Sequence, residues 1–544
     1  MKQNKFADVV YYSDNIYTVS DGMVSGGVAV TDGIITCVGG RQEISAFVGN
    51  ETEVADYNDK LLMPGFIDGH THMMPFVKKA DFSKGKSVDD CCEIARQFYK
   101  ENAEVSVVMG EKWYAANWGG TLPTRYDIDK VISDVPFLAI DLDIHLLWCN
   151  TKLLEKEGFI LPNGEASCID EVTSGRSVMV DTDESLIPTG ILKDEICMEI
   201  FLKYQPEANR NTVKAMFDVW TQYGVTTVND MDFYEADNVI YKLTGELLKD
   251  GELNVRTFAS LDAALATDES IKEAKSYMNS DMFRLNSLKA FMDGTGAGHT
   301  AYMKRPYVGT TEYGNVYLSN ETLLGYVKKA SEHGLAMHTH CCGDRAVSEA
   351  LSVYEKAVLD GVELDERFSI EHCDTTDIED VARPAKLGIS LNLTPDFLAP
   401  TYRWQDNPYI KVYDDETKEE LWKIKSFIDT GVNVSFGTDY TASSMNPFDQ
   451  LYRAIARKAD DGYPLDGYKM EEAVDISQAI YCYTMGSAKS VGMEAMLGSI
   501  EAGKYADMIV VDTNLLVASA DDIKKTKVLV TIVNGRMVFD RGSQ

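Results

Sequence analysis

The sequence predicts an α/β protein in which parallel strands alternate with helices and close into a barrel. Short apolar segments follow helical stretches repeatedly, as in GVTTVND, LNSLKAFMDG, GLAMHTHCCGD, RFSIEHCD, GISLNLTP and VNVSFGTD. Strand–helix units repeated in this way form either a barrel or a doubly wound sheet. Polar residues stand at the carboxyl end of nearly every predicted strand. This favours the barrel, because barrels assemble their active sites at that end.

Both ends of the chain carry strand signals instead. Near the N-terminus GGVAVTDGIITCVGG turns at Asp32-Gly33, and near the C-terminus KVLVTIVNGRMVFD turns at Asn534-Gly535. Gly-containing junctions, LLMPGF and LGSIEAGKYAD, separate these ends from the middle. We therefore expect residues 1–62 and 497–544 to pair in one small β domain, with the barrel formed by residues 63–496.

A segment rich in aromatic and polar residues, 77–165, interrupts the strand–helix rhythm after the first barrel strand. We expect it to form an inserted lid or subdomain over the site. Its aromatic cluster of Trp113, Tyr114 and Trp118 either packs the insert or supplies the apolar wall of a small-molecule pocket. In the second case Trp113 and Trp118 contact the substrate, which then carries an aromatic or bulky apolar substituent.

Composition indicates which partners and which compartment to expect. The 544 residues include 86 acidic and 52 basic side chains, and the net charge of -34 repels nucleic acid and anionic lipid. No apolar run is long enough for a signal peptide or a membrane span. Ten scattered cysteines without a CxxC spacing fit a reduced compartment. We expect a cytoplasmic protein without nucleic-acid or membrane partners, and a homodimer because that assembly is the commonest.

Histidines mark the candidate site. The chain has only eight, and most of them lie on or next to predicted strand ends. In MPGFIDGHTH one residue separates His70 from His72, so on an extended strand both side chains point to the same side. Two imidazoles directed together at the mouth of a barrel provide half of a zinc site. An isolated HxH also arises by chance, but further histidines at the ends of two later strands complete a constellation.

Nine motifs follow one another along nearly the whole chain. They are PGFIDGHTH (64–72), LDIHLLWCN (142–150), PTGILKDE (188–195), GVTTVND (224–230), LKAFMDGTGAGHTAYM (288–303), HCCGDRAV (340–347), IEHCD (370–374), GTDY (437–440) and GSIEAGKYADMIVVD (498–512). In this order the chain resembles the amidohydrolase superfamily, in particular its amidohydrolase 3, or YtcJ-like, family. The resemblance implies a metal-bearing (β/α)8 barrel of the TIM type, flanked by a small β-sandwich built from both termini.

The resemblance also implies a ligand set. By it, His70 and His72 bind metal from the first barrel strand, His340 from the fifth and His372 from the sixth. Asp439, in the GTD motif, resembles the family's eighth-strand aspartate and touches both metal and water. The implied cofactor is one or two divalent ions, with zinc favoured.

Lys289 lies where many relatives place a lysine that is carboxylated by carbon dioxide. In the apolar strand SLKAFM an ammonium group is costly to bury, so its pKa falls and the neutral amine forms a carbamate. That anion is able to bridge two divalent ions. Alternatively Asp293 pairs with the charged lysine, and one ion is then expected. Either number of ions activates water for hydrolysis.

The remaining histidines leave alternatives open. In AMHTH, His338 lies on the same side as His340, but the HxxGDRA spacing favours His340 as the ligand. His338 is then a group behind the ligands or a structural histidine deeper in the barrel. His145 matches a position where relatives place a substrate-facing histidine, and Trp148 lines the pocket with it or packs. His299, after a Gly-rich turn, reaches the substrate or caps a loop.

The resemblance implies hydrolysis of a carbon–nitrogen bond other than a peptide bond, in an amide, formamide or cyclic amide of a small molecule. Water activated at the metal attacks the carbonyl-type carbon, and Asp439 passes the proton to the leaving nitrogen. The alternative for Asp439 is a helix cap, since TASSMNPF is able to begin a helix. The alternative functions are deamination, ester hydrolysis or isomerisation on the same barrel, and binding without catalysis.

Overall fold

The computed structural model describes residues 6–76, 78–142, 146–231 and 238–543, and its centre is a barrel of eight parallel strands. Each barrel strand pairs with the next one along the chain. The predicted (β/α)8 barrel is therefore confirmed. From the first to the eighth, the strands are Phe66–Thr71, Val225–Asp230, Arg256–Asp262, Phe283–Phe291, Ala336–Cys341, Ser369–His372, Ser390–Leu393 and Asn433–Phe436.

Helices alternate with the barrel strands, and the longer ones bury an apolar stripe. In the helix before the second strand, Val213, Phe217 and Trp220 are buried at the three- and four-residue spacing that places side chains on one face. Another helix follows each strand from the second to the eighth. These helices are Arg210–Gln222, Val239–Lys249, Asp268–Tyr277, Asn320–Glu332, Asp344–Leu359, Arg383–Leu387, Ile424–Asp429 and Pro447–Ala456.

Individual hydrogen bonds close the seam between the first and the eighth barrel strands. The backbone N–H of Asp439 donates to the carbonyl oxygen of His70 over 2.7 Å. The Asp68 carboxylate, on the first strand, accepts from the backbone N–H of Thr438 at 2.9 Å and from its hydroxyl at 2.6 Å. The seam thereby fixes the two strand ends that carry His70, His72 and Asp439.

Strands from both ends of the chain share a second eight-stranded sheet. Its two halves meet where Leu61–Pro64 pairs antiparallel with Met508–Val511. Asp32-Gly33 and Asn534-Gly535 form the predicted turns, and all four residues have positive φ, as two-residue hairpin turns require. The strands are Val9–Tyr17, Met23–Thr31, Ile34–Gly39, Glu53–Asp56, Leu61–Pro64, Met508–Val511, Val528–Val533 and Arg536–Asp540.

A second compact unit consists of Pro75–Glu207 and Thr401–Asp406, and it starts shortly after the first barrel strand. It has its own six-stranded sheet. The strands are Ala80–Asp81, Val108–Trp113, Phe137–Asp141, Leu146–Cys149, Val180–Thr182 and Pro188–Lys193, and the helices are Val88–Glu101, Arg125–Ile128, Thr151–Lys156, Ile169–Val172 and Asp194–Lys203. Across the described ranges, every helix is too short or too polar to cross a membrane.

Candidate metal centre

Two histidines at the end of the first strand converge on one carboxylate just after the eighth. The Nε2 atoms of His70 and His72 lie 3.3 and 3.0 Å from Oδ1 of Asp439. All three side chains are almost fully enclosed, and one ligand atom from each lies within 4.8 Å of the other two. Imidazole nitrogens and a carboxylate oxygen form a donor set that binds zinc. The structure thus brings together three of the predicted ligands.

The histidines of the fifth and sixth strands lie beside this group. The ring centroid of His372 is 4.4 Å from that of His340 and 4.8 Å from that of His70. On its other side the His372 ring stacks on Phe397 at 5.8 Å. Nδ1 of His372 is buried and has no hydrogen-bond partner among the described residues. Four predicted histidine ligands are therefore neighbours at one end of the barrel.

Lys289, on the fourth strand, is buried in the same place. Within the described part of the chain its Nζ atom is buried without a hydrogen-bond partner. Asp293, the alternative partner of this lysine, is engaged elsewhere, because its carboxylate accepts three backbone N–H groups at 2.8 to 3.0 Å, those of Tyr302, Cys342 and Gly343. The described residues thus contain no ion pair between Lys289 and Asp293.

Burial sets the protonation of these groups. It lowers the pKa of His340 to about 3, and together with the neighbouring His340 it holds the pKa of His372 well below its usual range. Burial also lowers the pKa of Lys289, against the attraction of nearby carboxylates. Burial acts to raise the pKa of Asp439, but His70 outweighs it and holds that pKa well below the ordinary value. Neutral imidazoles and an ionised carboxylate are the states in which these side chains ligate a metal.

The backbone departs from extended geometry at two of the site residues. The φ angle is 75° at His372 and 47° at Asp439, in the left-handed region that non-glycine residues rarely adopt. Such conformations persist where the surrounding structure fixes them, and they concentrate at functional sites. In a regular strand Glu371 and His372 would point to opposite faces. The turn at His372 lets both side chains face the barrel interior.

Glu371 is the residue that sequence reasoning missed. Its carboxylate is fully buried, with Oε2 2.5 Å from Nδ1 of His70 and Oε1 2.9 Å from Nδ1 of His338. The Ser369 hydroxyl donates to the same carboxylate. His338 therefore contacts a carboxylate behind His70, a predicted ligand, which agrees with the first of the two roles left open for it. An acidic residue directly before a predicted ligand histidine in IEHCD was the available signal.

The capping alternative for Asp439 is wrong. The following helix, Pro447–Ala456, begins eight residues later and is capped by Asn446, whose side-chain oxygen accepts from the backbone N–H of Phe448 at 3.2 Å. Asp439 faces the two first-strand histidines instead.

Two of the expected substrate contacts are core residues of the insert. Trp113 and Trp148 have no exposed surface, and their ring centroids lie 6.4 Å apart. Their indole N–H groups donate to the backbone oxygens of Ala139 and Thr124, at 2.8 and 2.9 Å. This corrects the expectation that they line a pocket, because a fully buried ring offers no surface to a substrate.

The structure does not decide the role of the other three substrate candidates. Trp118 is half-buried and donates its indole N–H to the oxygen of Thr121 at 2.7 Å, so it retains an exposed edge. His299 has a φ of 56° and stacks on Tyr307, with ring centroids 4.6 Å apart. His145 lies outside the described residues. A substrate role for each of the three stays a prediction.

Known proteins resemble the chain over almost its full length. A model of the family described as the amidohydrolase family matches residues 53–539. Protein LONG AFTER FAR-RED 3 of Arabidopsis thaliana is 24% identical over 98% of this chain and 92% of its own length. The N-substituted formamide deformylase of Arthrobacter pascens is 25% identical over 98% of both chains. An uncharacterized metal-dependent hydrolase from Pyrococcus horikoshii OT3 has the same fold, with a TM-score of 0.70 at 21% identity, over 94% of this chain and 99% of that one.

Proposed function

The chain belongs to the amidohydrolase family, and on that basis we propose that it hydrolyses a carbon–nitrogen bond other than a peptide bond in a small molecule. An amide, a formamide or a cyclic amide is the substrate class. The observation that carries the proposal is the convergence of His70 and His72 on Asp439, with His340 and His372 alongside. The name of the Arthrobacter relative, a formamide deformylase, supports the same class.

The residues at this end of the barrel fit one or two divalent ions, with zinc favoured by the nitrogen and carboxylate donors. Support comes from His372, whose Nδ1 atom is buried and lacks a partner among the described residues. Leaving a buried polar atom unpaired costs about 1–3 kcal/mol, which ligation would remove. When bound, such an ion lowers the pKa of water to near neutral and polarises a carbonyl oxygen.

Asp439 is proposed to carry the proton. Its carboxylate is ionised and lies beside the imidazoles of His70 and His72, so it is placed to accept a proton from the attacking water. The remaining hydroxyl adds to the acyl carbon. Asp439 then delivers the proton to the nitrogen as the carbon–nitrogen bond breaks, and the products are an acid and an amine.

We further propose that Lys289 is carboxylated in the active protein, where its carbamate would supply an anionic ligand for two ions. Support comes from its buried Nζ atom, which lacks a hydrogen-bond partner within the described ranges, and from the engagement of Asp293 by backbone donors. Lys289→Ala should lose turnover, and bicarbonate with propionate should partly restore it. Lys328→Ala, which removes a surface lysine paired with Asp360, is the matched control and should change neither.

A direct readout of the modified lysine is ¹³C NMR after growth or incubation with ¹³C-bicarbonate. We expect one carbamate resonance in the wild type that is absent from Lys289→Ala and retained in Lys328→Ala. An active wild type without that resonance, together with no rescue of Lys289→Ala, would overturn carboxylation and leave a single ion as the working state.

Metal analysis of the purified protein, followed by a screen of N-formyl and N-acyl amines, tests the function. Release of the substituted amine supports the proposal. The alternative is a mononuclear deaminase, which does not need Lys289. A single ion, with turnover only of ring-bound amino groups, would favour that alternative and contradict amide hydrolysis.

A further inference from the structure

A buried hydrogen-bond network lies behind the proposed ligands. It runs from the hydroxyl of Ser369 and Nδ1 of His338 to the carboxylate of Glu371, and from there to Nδ1 of His70. His70, His338 and Glu371 each have side chains at most 1% exposed. The network joins the first, fifth and sixth barrel strands below the group formed by His70, His72 and Asp439.

We infer that Glu371 is a positioning residue, which holds His70 in the tautomer that presents Nε2 to a metal. The inference rests on the proposed metal centre. It adds a role for two buried residues, Glu371 and His338, that are not ligands themselves.

The geometry dictates the proton at Nδ1 of His70. A carboxylate only accepts hydrogen bonds, so an imidazole nitrogen 2.5 Å from Oε2 of Glu371 has to carry a hydrogen. In the neutral ring Nε2 then keeps its lone pair, and this atom faces Asp439 at 3.3 Å. A ligand histidine whose second nitrogen donates to a carboxylate is the usual arrangement for fixing the orientation of the ring and raising its basicity.

His338 fixes the carboxylate in turn. Its Nδ1 atom lies 2.9 Å from Oε1 of Glu371 and 2.9 Å from the Ser369 hydroxyl. A buried carboxylate with one donor would be left with uncompensated charge. The two imidazoles hold one oxygen each, so they define the rotation of the carboxylate and through it the direction of the His70 ring.

Metal affinity, measured by competition with a chelator, tests the inference without reference to a substrate. In Glu371→Gln the amide oxygen accepts from only one imidazole, while the amide nitrogen donates. One of the two rings then has to accept at Nδ1, and for His70 this moves the proton to Nε2. We expect zinc affinity to fall by roughly 10- to 100-fold. Ser369→Ala keeps both imidazole contacts, so as the matched control it should lose well under tenfold.

The tautomer itself is visible by ¹⁵N NMR of histidine side chains in the unaltered protein, which remains informative if Glu371→Gln does not fold. The His70 signals are assigned by their loss in His70→Gln. We expect a protonated Nδ1 in both the metal-free and the zinc-loaded protein. A neutral His70 that carries its proton on Nε2 instead of Nδ1, or a folded Glu371→Gln with wild-type zinc affinity, would overturn the inference. A wild type that binds no zinc would instead contradict the proposed function.

Discussion

The chain contains two HxH sequences with threonine in the middle, and the two sequences differ in the side chains that their histidines face. His70 is the last but one residue of the first strand and His72 directly follows that strand, and both reach the carboxylate of Asp439. In the fifth strand, His340 lies beside another proposed ligand, His372, while His338 contacts Glu371 below the site. The spacing places both histidines of each pair on one face, and the partner carboxylate distinguishes their roles.

Depth along the strand explains the difference. The first strand ends at Thr71, so His72 is already past the last strand residue. The fifth strand runs to Cys341, and His338 pairs in register with Lys289 and Ser369 inside the barrel. Two residues of a strand span roughly 6–7 Å. His338 therefore lies one layer below His340, at the level of the network around Glu371.

The largest effect should come from the carboxylate that both first-strand histidines face. In Asp439→Asn the side chain keeps its shape but no longer takes up a proton, so turnover should fall at least about 100-fold. Bound metal, measured by elemental analysis, should largely remain. Near-normal turnover in the metal-loaded variant would remove Asp439 from the mechanism.

The fifth-strand pair provides the next test, because its two histidines are matched in chemistry and differ in depth. His340→Ala removes a proposed ligand, and zinc affinity should fall by more than about 100-fold, beyond the range seen for residues behind ligands. His338→Ala should cost nearer tenfold, since Ser369 still donates to Glu371. Both are measured by chelator competition. A larger loss from His338→Ala than from His340→Ala would reverse the assignment on this strand.

Lowering the pH should also distinguish the first-strand pair of histidines from the fifth-strand pair, with a smaller effect on zinc affinity. Burial and Lys289 act to lower the pKa of His70, but Asp439 and Glu371 outweigh them and raise it above the ordinary 6.5. As the pH falls through this raised pKa, an ion has to displace a proton, so affinity should fall about tenfold per pH unit. His340, with a pKa of about 3, stays neutral there and contributes no such loss. Zinc affinity that stays flat between about pH 8 and pH 5 would contradict the raised pKa of His70.

The smallest effect belongs to the side chain that caps the helix after the eighth strand. Asn446→Ala should lower the free energy of unfolding by about 1 kcal/mol, because the backbone N–H of Phe448 loses its acceptor. Turnover and metal content should be unchanged. Paired with Asp439→Asn, it separates loss of a cap from loss of a site carboxylate, and a strong effect of Asn446→Ala on turnover would undo that separation.

Local sequence pattern together with the family resemblance was enough for the barrel and for the convergence of His70, His72, His340 and His372, because strand ends in a parallel barrel meet at one rim. It was not enough for Glu371. Strand alternation assigns adjacent residues to opposite faces, and only the left-handed φ at His372 brings both inside.

Local sequence pattern also did not predict which aromatic side chains of the insert are buried. Trp113 and Trp148 belong to a sheet whose last two strands, Val180–Thr182 and Pro188–Lys193, lie past residue 165. Aromatic composition does not distinguish a packed ring from a ring that lines a pocket. The domain bounds, the cytoplasmic location, the homodimer and the identity of the metal stay predictions from sequence.

The seam between the first and eighth strands affects where the protein begins to unfold. Almost all of the barrel sequence separates His70 from Asp439, yet the backbone N–H of Asp439 donates to the carbonyl oxygen of His70. An ion held by both side chains would be a cross-link, and the entropy that such a link removes from the unfolded chain grows with the length of the closed loop. We expect chelation to speed hydrogen exchange first at the amides of His72 and Asp439. A bound metal would then hold the first and the eighth barrel strands together. Its loss would open the barrel between these two strands.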